Sequence, residues 1–226
     1  MEVGAGLGSL TLALAAAGAR VRAIEFDRAL LPALREVTAG VETITVVAAD
    51  ATRVDWASEL GDGAWIACAN LPYNVAVPVV MALLDDAPMV KRLVILVQRE
   101  VGERFLAGPG DEHYGPASLR VAYRATGELM RRVAPSVFWP RPKVASVVVR
   151  LDRRSRPPVD VDPAALWRVV DAGFAERRKT MRSAVIRLGV DPGRADALLR
   201  ACAITPRARA ERLSLQDFAR ISEALP

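Results

Sequence analysis

The fold is decided by residues 2–25, which read EVGAGLGSLTLALAAAGARVRAIE. Alternate glycines follow a short apolar start and permit a tight turn with close approach of the backbone to a ligand. Residues 9–17 predict a helix that ends near Gly18, and residues 21–24 predict a second strand that ends at Glu25. This strand, turn, helix and strand predict the first unit of a Rossmann-like sheet.

The spacing of the glycines bears on which ligand the turn can bind. It is Gly-x-Gly-x-Gly and not the Gly-x-Gly-x-x-Gly expected for a dinucleotide pyrophosphate. Glu25 follows the first glycine by about 20 residues, where an acidic side chain can accept hydrogen bonds from both ribose hydroxyls. The alternative for Glu25 is a solvated charge at a strand end. The spacing disfavours a nicotinamide dehydrogenase.

The alternation of strands and helices continues to residue 151. Strands are predicted at residues 43–48, 64–69, 92–97, 128–133 and 144–151, and helices at residues 27–37, 75–84, 98–107 and 118–123. Such repeats indicate an α/β fold with a mainly parallel sheet. The short link between the last two strands makes the last strand antiparallel. Residues 108–115, rich in glycine and charge, predict a flexible lid.

A strand-to-helix turn carries the most specific chemistry. Asn70-Leu71-Pro72-Tyr73 follows the strand at residues 64–69, at the sheet edge where α/β proteins bind ligands. The Asn70 amide oxygen and a backbone carbonyl held by Pro72 can accept hydrogen bonds from an exocyclic amino group, and Tyr73 can stack on a planar base. Asn and Pro are also common turn residues, so an ordinary turn is the alternative. Asp50 ends the third strand, where it can bind an adenine amino group or cap a short turn.

The C-terminal end differs in charge and in pattern. Residues 1–150 carry 16 basic and 16 acidic side chains, whereas residues 151–226 carry 15 and 10. After a linker at residues 153–158, helical apolar spacing predicts four helices, at residues 163–174, 180–188, 194–202 and 215–225. A basic cluster lies at one helix start and comprises Arg177, Arg178, Lys179 and Arg182. It predicts a phosphate-binding surface, with a merely solvated basic face as the alternative.

Composition excludes several classes of protein. No apolar run approaches the roughly 20 residues of a membrane span, and the first residues show no secretory signal. One histidine and two cysteines exclude a multi-Cys/His zinc site, so no metal is expected. We therefore expect a cytoplasmic protein that does not bind membranes.

Several separated motifs together resemble the small-subunit (16S) ribosomal RNA adenine N6,N6-dimethyltransferase family over nearly the whole chain. The motifs are the glycine turn at residues 2–8, Glu25, Asp50, Asn70 to Tyr73, Gln98-Arg99-Glu100-Val101 with Glu103-Arg104, Phe138-x-Pro140-x-Pro142-Lys143-Val144, Phe174-x-x-Arg177-Arg178-Lys179-Thr180, and residues 209–218. The last segment favours the small-subunit branch over the related resistance enzymes that methylate large-subunit RNA.

The resemblance implies a class I S-adenosylmethionine-dependent methyltransferase fold with a small all-helical C-terminal domain. The expected domains are residues 1–152, which bind S-adenosylmethionine, and residues 160–226, which dock RNA. The substrate implied is a pair of adjacent adenosines near the 3′ end of small-subunit ribosomal RNA, within the assembling subunit, and the protein is expected to be a monomer.

The resemblance also assigns residues by position. Those expected at the target base are Asn70, Leu71, Pro72 and Tyr73; those at the cofactor are Glu2, Gly4, Gly6, Gly8, Glu25, Asp50, Ala51 and Asn70; those at RNA are Phe138, Lys143, Arg177, Arg178, Lys179 and Arg182.

The resembled family carries several dozen residues before its glycine motif, whereas Met1 here stands inside the first strand. We therefore expect a start assigned too late or a truncated chain, with doubtful activity in this form. Two other readings remain. One is a methyltransferase for another amino group, such as a large-subunit adenine or a protein glutamine. The other is an RNA-binding assembly factor without catalysis.

Overall fold

The computed structural model describes residues 1–176 and 178–225. It contains a seven-stranded sheet in the order β3-β2-β1-β4-β5-β7-β6. The strands are β1 Glu2–Val3, β2 Val21–Glu25, β3 Ile44–Ala48, β4 Trp65–Asn70, β5 Val90–Gln98, β6 Ala125–Val133 and β7 Ser146–Arg153. Strands β1 to β5 pair in parallel, and β7 is antiparallel to both β5 and β6. The predicted fold class is confirmed.

Helices connect and flank these strands. Their bounds are α1 Ser9–Ala16, α2 Leu31–Val37, α3 Trp56–Leu60, α4 Ala76–Asp86, α5 Arg99–Leu106, α6 Pro116–Arg124, α7 Pro163–Phe174, α8 Met181–Arg187, α9 Ala195–Ala201 and α10 Leu215–Ala224. No helix in the described part of the chain is long and apolar enough to cross a membrane.

The sheet order brings the two sequence motifs to neighbouring positions. Strand β1 lies between β2 and β4, with Glu2 opposite both Ala23 and Cys68. Because these strands are parallel, the turns that follow them lie at one edge of the sheet. The glycine turn, Glu25 and the turn after Asn70 therefore share that edge.

Several element boundaries differ from the prediction, for local reasons. Helix α2 begins at Leu31 and not at residue 27, because the Asp27 carboxylate accepts the Ala29 N–H at 2.8 Å and holds a turn before the helix. Helix α3 was not predicted; the Asp55 carboxylate caps it by accepting the Ser58 N–H at 3.2 Å.

The chain forms two compact units. The first comprises residues 1–102 and 125–154, and the second comprises residues 103–124 and 155–226. The sequence predicts that residues 103–124 belong to the first domain. In the structure, Leu119 and Tyr123 share a buried core with C-terminal residues such as Leu166 and Phe218, and this contact places the segment in the second unit.

The loop that was predicted to be a lid is anchored within the second unit. Gly110 donates its N–H to the Glu211 carbonyl at 2.8 Å, and the Tyr114 hydroxyl donates to the Leu213 carbonyl at 2.7 Å. Tyr114 is buried in the helical core and packs edge-on against Phe174. These contacts favour a structural role for the loop over that of a lid.

Candidate active site

The glycine turn after β1 adopts a backbone that only glycine accepts easily. Gly6 has φ +57°, and a side chain built there would meet no atom within 4 Å. Gly8 has φ +85° and begins α1, with Leu34 and Val37 of α2 packed about its Cα. The turn is therefore closed toward α2 at Gly8 and open to solvent or a ligand at Gly6.

The Glu25 carboxylate fastens this turn to the end of β2. One oxygen accepts the Gly6 N–H at 2.7 Å, and the other accepts the Asp27 N–H at 2.7 Å. The residue is only 7% exposed, which rules out the solvated charge considered from the sequence. A carboxylate has about four acceptor positions, so each oxygen can accept one more hydrogen bond.

Glu2 lies beneath the turn as a buried carboxyl group. It is 1% exposed and accepts a hydrogen bond from the Thr11 hydroxyl in the first turn of α1. Burial raises the pKa of Glu2 to about 7, although the Thr11 hydrogen bond acts in the opposite direction. Any positive charge brought near this carboxyl would favour its ionised form.

The turn after β4 combines a fixed backbone with accessible side chains. Asn70 ends the strand with its side chain exposed, whereas Leu71 is buried and donates its N–H to the Leu96 carbonyl at 3.2 Å. Tyr73 is half-buried, and its hydroxyl lies 2.9 Å from the Ser146 hydroxyl at the start of β7. The Tyr73 ring is thus tethered at its far end.

The two turns lie next to each other, with a narrow gap between them. A Cβ placed on Gly4 would lie 3.6 Å from the Pro72 Cδ and 3.9 Å from the Asn70 carbonyl oxygen. Glycine at this position therefore leaves the cleft between the turns unfilled. The structure brings Gly4, Asn70 and Pro72 together at the carboxyl edge of the sheet.

Asp50 and Ala51 follow β3 at the same edge. One Asp50 oxygen accepts both the N–H and the hydroxyl of Thr52, at 2.9 and 2.7 Å, and these bonds lower the pKa of Asp50. The carboxylate therefore holds its own turn, as the alternative reading expected. Its second oxygen lies 3.9 Å from the nearest nitrogen of Arg53, too far for a hydrogen bond. Ala51 is buried.

The link between β6 and β7 carries two of the residues expected at RNA. Phe138 is half-buried and Lys143 is exposed. The link ends near Ser146, which is fully buried and contacts Tyr73. This places the link beside the Asn70 to Tyr73 turn within one unit.

The basic cluster of the helical unit is only partly available to a ligand. Arg178 and Lys179 are exposed in the turn before α8, and Arg177 lies outside the described residues. Arg182 forms an ion pair with Asp196 at 2.7 Å and donates to the Pro192 carbonyl at 3.0 Å. The Asp196 carboxylate offsets the positive charge of Arg182, so the cluster is weaker than its sequence indicates.

Sequence reasoning missed two buried residues that hold the site together, Thr11 and Ser146. Each is polar and fully buried, Thr11 on the inner face of α1 and Ser146 at the first position of β7. A polar residue at a core position is the available signal, because a buried hydroxyl needs a partner. The sequence does not say that those partners are Glu2 and Tyr73.

The whole chain is similar in sequence to one known protein family. Residues 1–226 match the family described as Ribosomal RNA adenine dimethylase. The Ribosomal RNA small subunit methyltransferase A of Thermobifida fusca is 44% identical over 232 residues, covering 100% of this chain and 80% of that protein. The protein of the same name from Moorella thermoacetica is 42% identical over 235 residues, covering 100% and 82%.

Two solved structures share the architecture. A dimethyladenosine transferase from Plasmodium falciparum superposes with a TM-score of 0.79 at 22% identity, covering 97% of this chain and 86% of that one. The 23S rRNA methyltransferase ErmE superposes with a TM-score of 0.68 at 25% identity, covering 99% and 89%. The likeness extends over both compact units.

Proposed function

We propose that this chain, which belongs to the ribosomal RNA adenine dimethylase family, transfers methyl groups from S-adenosylmethionine to the N6 amines of two adjacent adenosines near the 3′ end of small-subunit (16S) ribosomal RNA. The names of its relatives favour the small subunit over the large. The observation that carries the proposal is the position of Gly4 beside Asn70 and Pro72, where an added Cβ would lie within 3.9 Å of both, because it sets a cofactor-type turn next to a base-binding turn.

The residues at the sheet edge fit S-adenosylmethionine. Glu25 is fixed by two backbone N–H groups and retains acceptor positions for a ribose diol. Asp50 retains one oxygen for an adenine amino group, with Ala51 beside it. Gly4 and Gly6 leave room for close approach of the methionine portion, and Gly8, packed against α2, fixes the end of the same turn. The buried Glu2 carboxyl beneath them can balance positive charge there.

When bound, S-adenosylmethionine supplies an electrophilic methyl group on a positively charged sulfur. The task left to the protein is to prepare a weak nucleophile, because the adenine amino lone pair is delocalised into the ring. The Asn70 amide oxygen and the backbone carbonyl at Leu71 would accept the two N–H groups and draw the nitrogen toward tetrahedral geometry. The Tyr73 ring, held by Ser146, would stack on the base.

Positioning then accounts for most of the expected catalysis. The strand-end backbone fixes Asn70 and Leu71, since Leu71 is buried and bonded to β5. The methylated nitrogen loses its proton to solvent, so no side chain needs to act as a general base. The target base must first leave its stack, which costs a few kcal/mol that stacking on aromatic side chains can offset.

The remaining assignments follow from charge and exposure. Phe138 and Lys143 would contact the RNA strand near the pocket, and Arg178 and Lys179 would contact phosphates from the helical unit, with Arg177 and Arg182 in the same cluster. The helical unit would thereby dock the enzyme on the assembling small subunit in the cytoplasm. We expect a monomer, which sedimentation velocity can test.

The test is methyl transfer from labelled S-adenosylmethionine to small ribosomal subunits that lack adenine dimethylation. Asn70→Ala should lower the rate at least a hundredfold, the loss typical of removing one preorganised transition-state contact, which is roughly 10²–10³-fold. Gln216→Ala removes an exposed amide from α10 and should leave the rate unchanged. The assay includes a chain extended upstream in the same reading frame.

Binding of S-adenosylmethionine is measured alongside by calorimetry. Transfer that survives Asn70→Ala would refute the role given to this residue. Labelling of large-subunit RNA in place of small-subunit RNA would favour the alternative methyltransferase. Retained RNA binding without cofactor binding or transfer, in both the chain and its extended form, would leave a non-catalytic assembly factor.

A further inference from the structure

One aromatic side chain stands apart from the described core and from every assignment above. Trp139 is 97% exposed, in the link between β6 and β7. The other three tryptophans are sheltered: Trp56 is buried, and Trp65 and Trp167 are half-buried. Single exposed apolar residues are common on proteins, but an almost completely exposed indole is not, because it forgoes the burial of a large apolar surface.

The segment around Trp139 is basic and exposed. Residues 130–144 contain four cations, Arg131, Arg132, Arg141 and Lys143, and no acidic residue. All four are exposed. The same link exposes Val137 and Val144. An exposed aromatic ring in a segment that carries exposed cations and no acidic residue matches a nucleic acid strand, in which flat bases alternate with phosphates.

The local backbone separates Trp139 from its neighbour Phe138. Phe138 has φ −108° and ψ 149°, an extended conformation in which successive side chains point to opposite sides. Burial follows this pattern, since Phe138 is half-buried and Trp139 is exposed. A base that packs beside Phe138 is therefore not the base that reaches Trp139.

The link is also fixed close to the base-binding turn. Ser146 follows Lys143 by three residues and lies 2.9 Å from the Tyr73 hydroxyl. Trp139 precedes Ser146 by seven residues, which span at most about 25 Å of extended chain. Its ring is exposed, whereas the contact of Ser146 with Tyr73 is sheltered. Trp139 can therefore meet a bound strand outside the pocket, within a few nucleotides of the base at Tyr73.

We propose that Trp139 is a stacking platform for an unpaired nucleobase of the RNA substrate that lies outside the methyl-transfer pocket, with Arg141 and Lys143 contacting the adjoining phosphates. The identity of the RNA rests on the proposed function, but the stacking chemistry does not. Trp139 is a positioning residue in this scheme. It orients the strand so that the target adenosine reaches Asn70.

The test uses a single-stranded RNA 12-mer containing two adjacent adenosines, with a blunt duplex of the same sequence as the comparison ligand. The single strand should quench the tryptophan emission of the chain and protect it from iodide, and Trp139→Phe should abolish that response. Trp139→Ala should weaken single-strand binding by about five- to a hundredfold, the effect of one lost stack, while Trp139→Phe should restore most of it. Binding of the duplex should change less than twofold.

The matched control is Trp65→Phe, which should leave the quenching by RNA intact. Single-strand binding within twofold of the original for Trp139→Ala, or quenching that persists in Trp139→Phe, would overturn the proposal. Iodide protection that depends on protein concentration and not on RNA would instead show a self-association surface, and would also overturn it. Methyl transfer to small ribosomal subunits, measured with the same protein preparations, separates the two claims: transfer without quenching defeats only the stacking role, and quenching without transfer defeats only the catalytic one.

Discussion

Replacing Arg153 by Met should destabilise the first unit substantially. Arg153 stands at the end of β7, and its guanidinium donates to the carbonyls of Leu84 and Leu83 at 2.8 and 2.7 Å. It also donates to the carbonyls of Ala87 and Val90, at 3.1 and 2.7 Å. One side chain therefore satisfies the carboxyl end of α4 and the first residue of β5.

The size of the effect depends on the backbone carbonyls that lose their hydrogen-bond donor when Arg153 is replaced. The last carbonyls of a helix have no partner within it, and the four residues concerned are buried. A hydrogen bond from a charged donor contributes about 1.5–3 kcal/mol, and a positive group at a helix carboxyl end adds about 0.3–1 kcal/mol. Water can reach part of the vacated space, and methionine loses less side-chain entropy on folding. We expect the free energy of unfolding to fall by about 2–4 kcal/mol.

The measurement is urea unfolding of the original chain and of Arg153→Met, monitored by circular dichroism and by the emission of Trp56 and Trp65 in the first unit. Arg156→Met is the matched control, since Arg156 is exposed three residues further on, and it should change the free energy of unfolding by less than about 0.5 kcal/mol. Arg153→Lys should recover only part of the loss, because an ammonium group cannot span four carbonyls. A loss below about 1 kcal/mol for Arg153→Met would refute the reasoning.

Three further predictions concern the site. Ionising the buried Glu2 costs stability, so the free energy of unfolding should fall as pH rises from 4.5 through about 7, by on the order of 3 kcal/mol, and Glu2→Gln should remove this pH dependence in urea titrations at pH 5 and 8. Gly8→Ala should lower the free energy of unfolding by about 2–3 kcal/mol in urea titrations, more than Gly18→Ala, because both have positive φ but only at Gly8 would the added Cβ lie 3.0–3.1 Å from Val37 and Leu34; equal losses would contradict this. Tyr73→Phe removes the hydrogen bond to Ser146 and should lower the free energy of unfolding by about 1 kcal/mol, but it keeps the ring and should keep most methyl transfer. Tyr73→Ala should lose transfer in the labelled assay.

Those parts of the fold that depend on local pattern were predictable. Parallel strands followed by turn residues predict that the glycine turn, Glu25 and Asn70 share one edge of the sheet, and the structure confirms the fold class on which that prediction depends. The boundaries of α2 and the existence of α3 were missed, because side-chain caps at Asp27 and Asp55 compete with apolar periodicity over single turns.

Contacts between residues far apart in the chain could not be predicted from the sequence. Nothing near Arg153 in the chain indicates that it binds carbonyls more than sixty residues earlier. The sequence does not show that Arg182 is paired with Asp196, so it does not distinguish this arginine from one available to bind a phosphate. The assignment of residues 103–124 to the helical unit likewise depends on packing against segments that follow much later.

That assignment has a consequence for how the chain is made. Tyr114, Leu119 and Tyr123 emerge from the translating ribosome before the helices whose core they share, the last of which includes Phe218 and Ile221. The helical unit can close its core only after residue 221 has been synthesised, so its first segment must wait without its partners. For the same reason the unit cannot be transplanted as one fragment starting at residue 155; recombination that preserves it has to carry both segments.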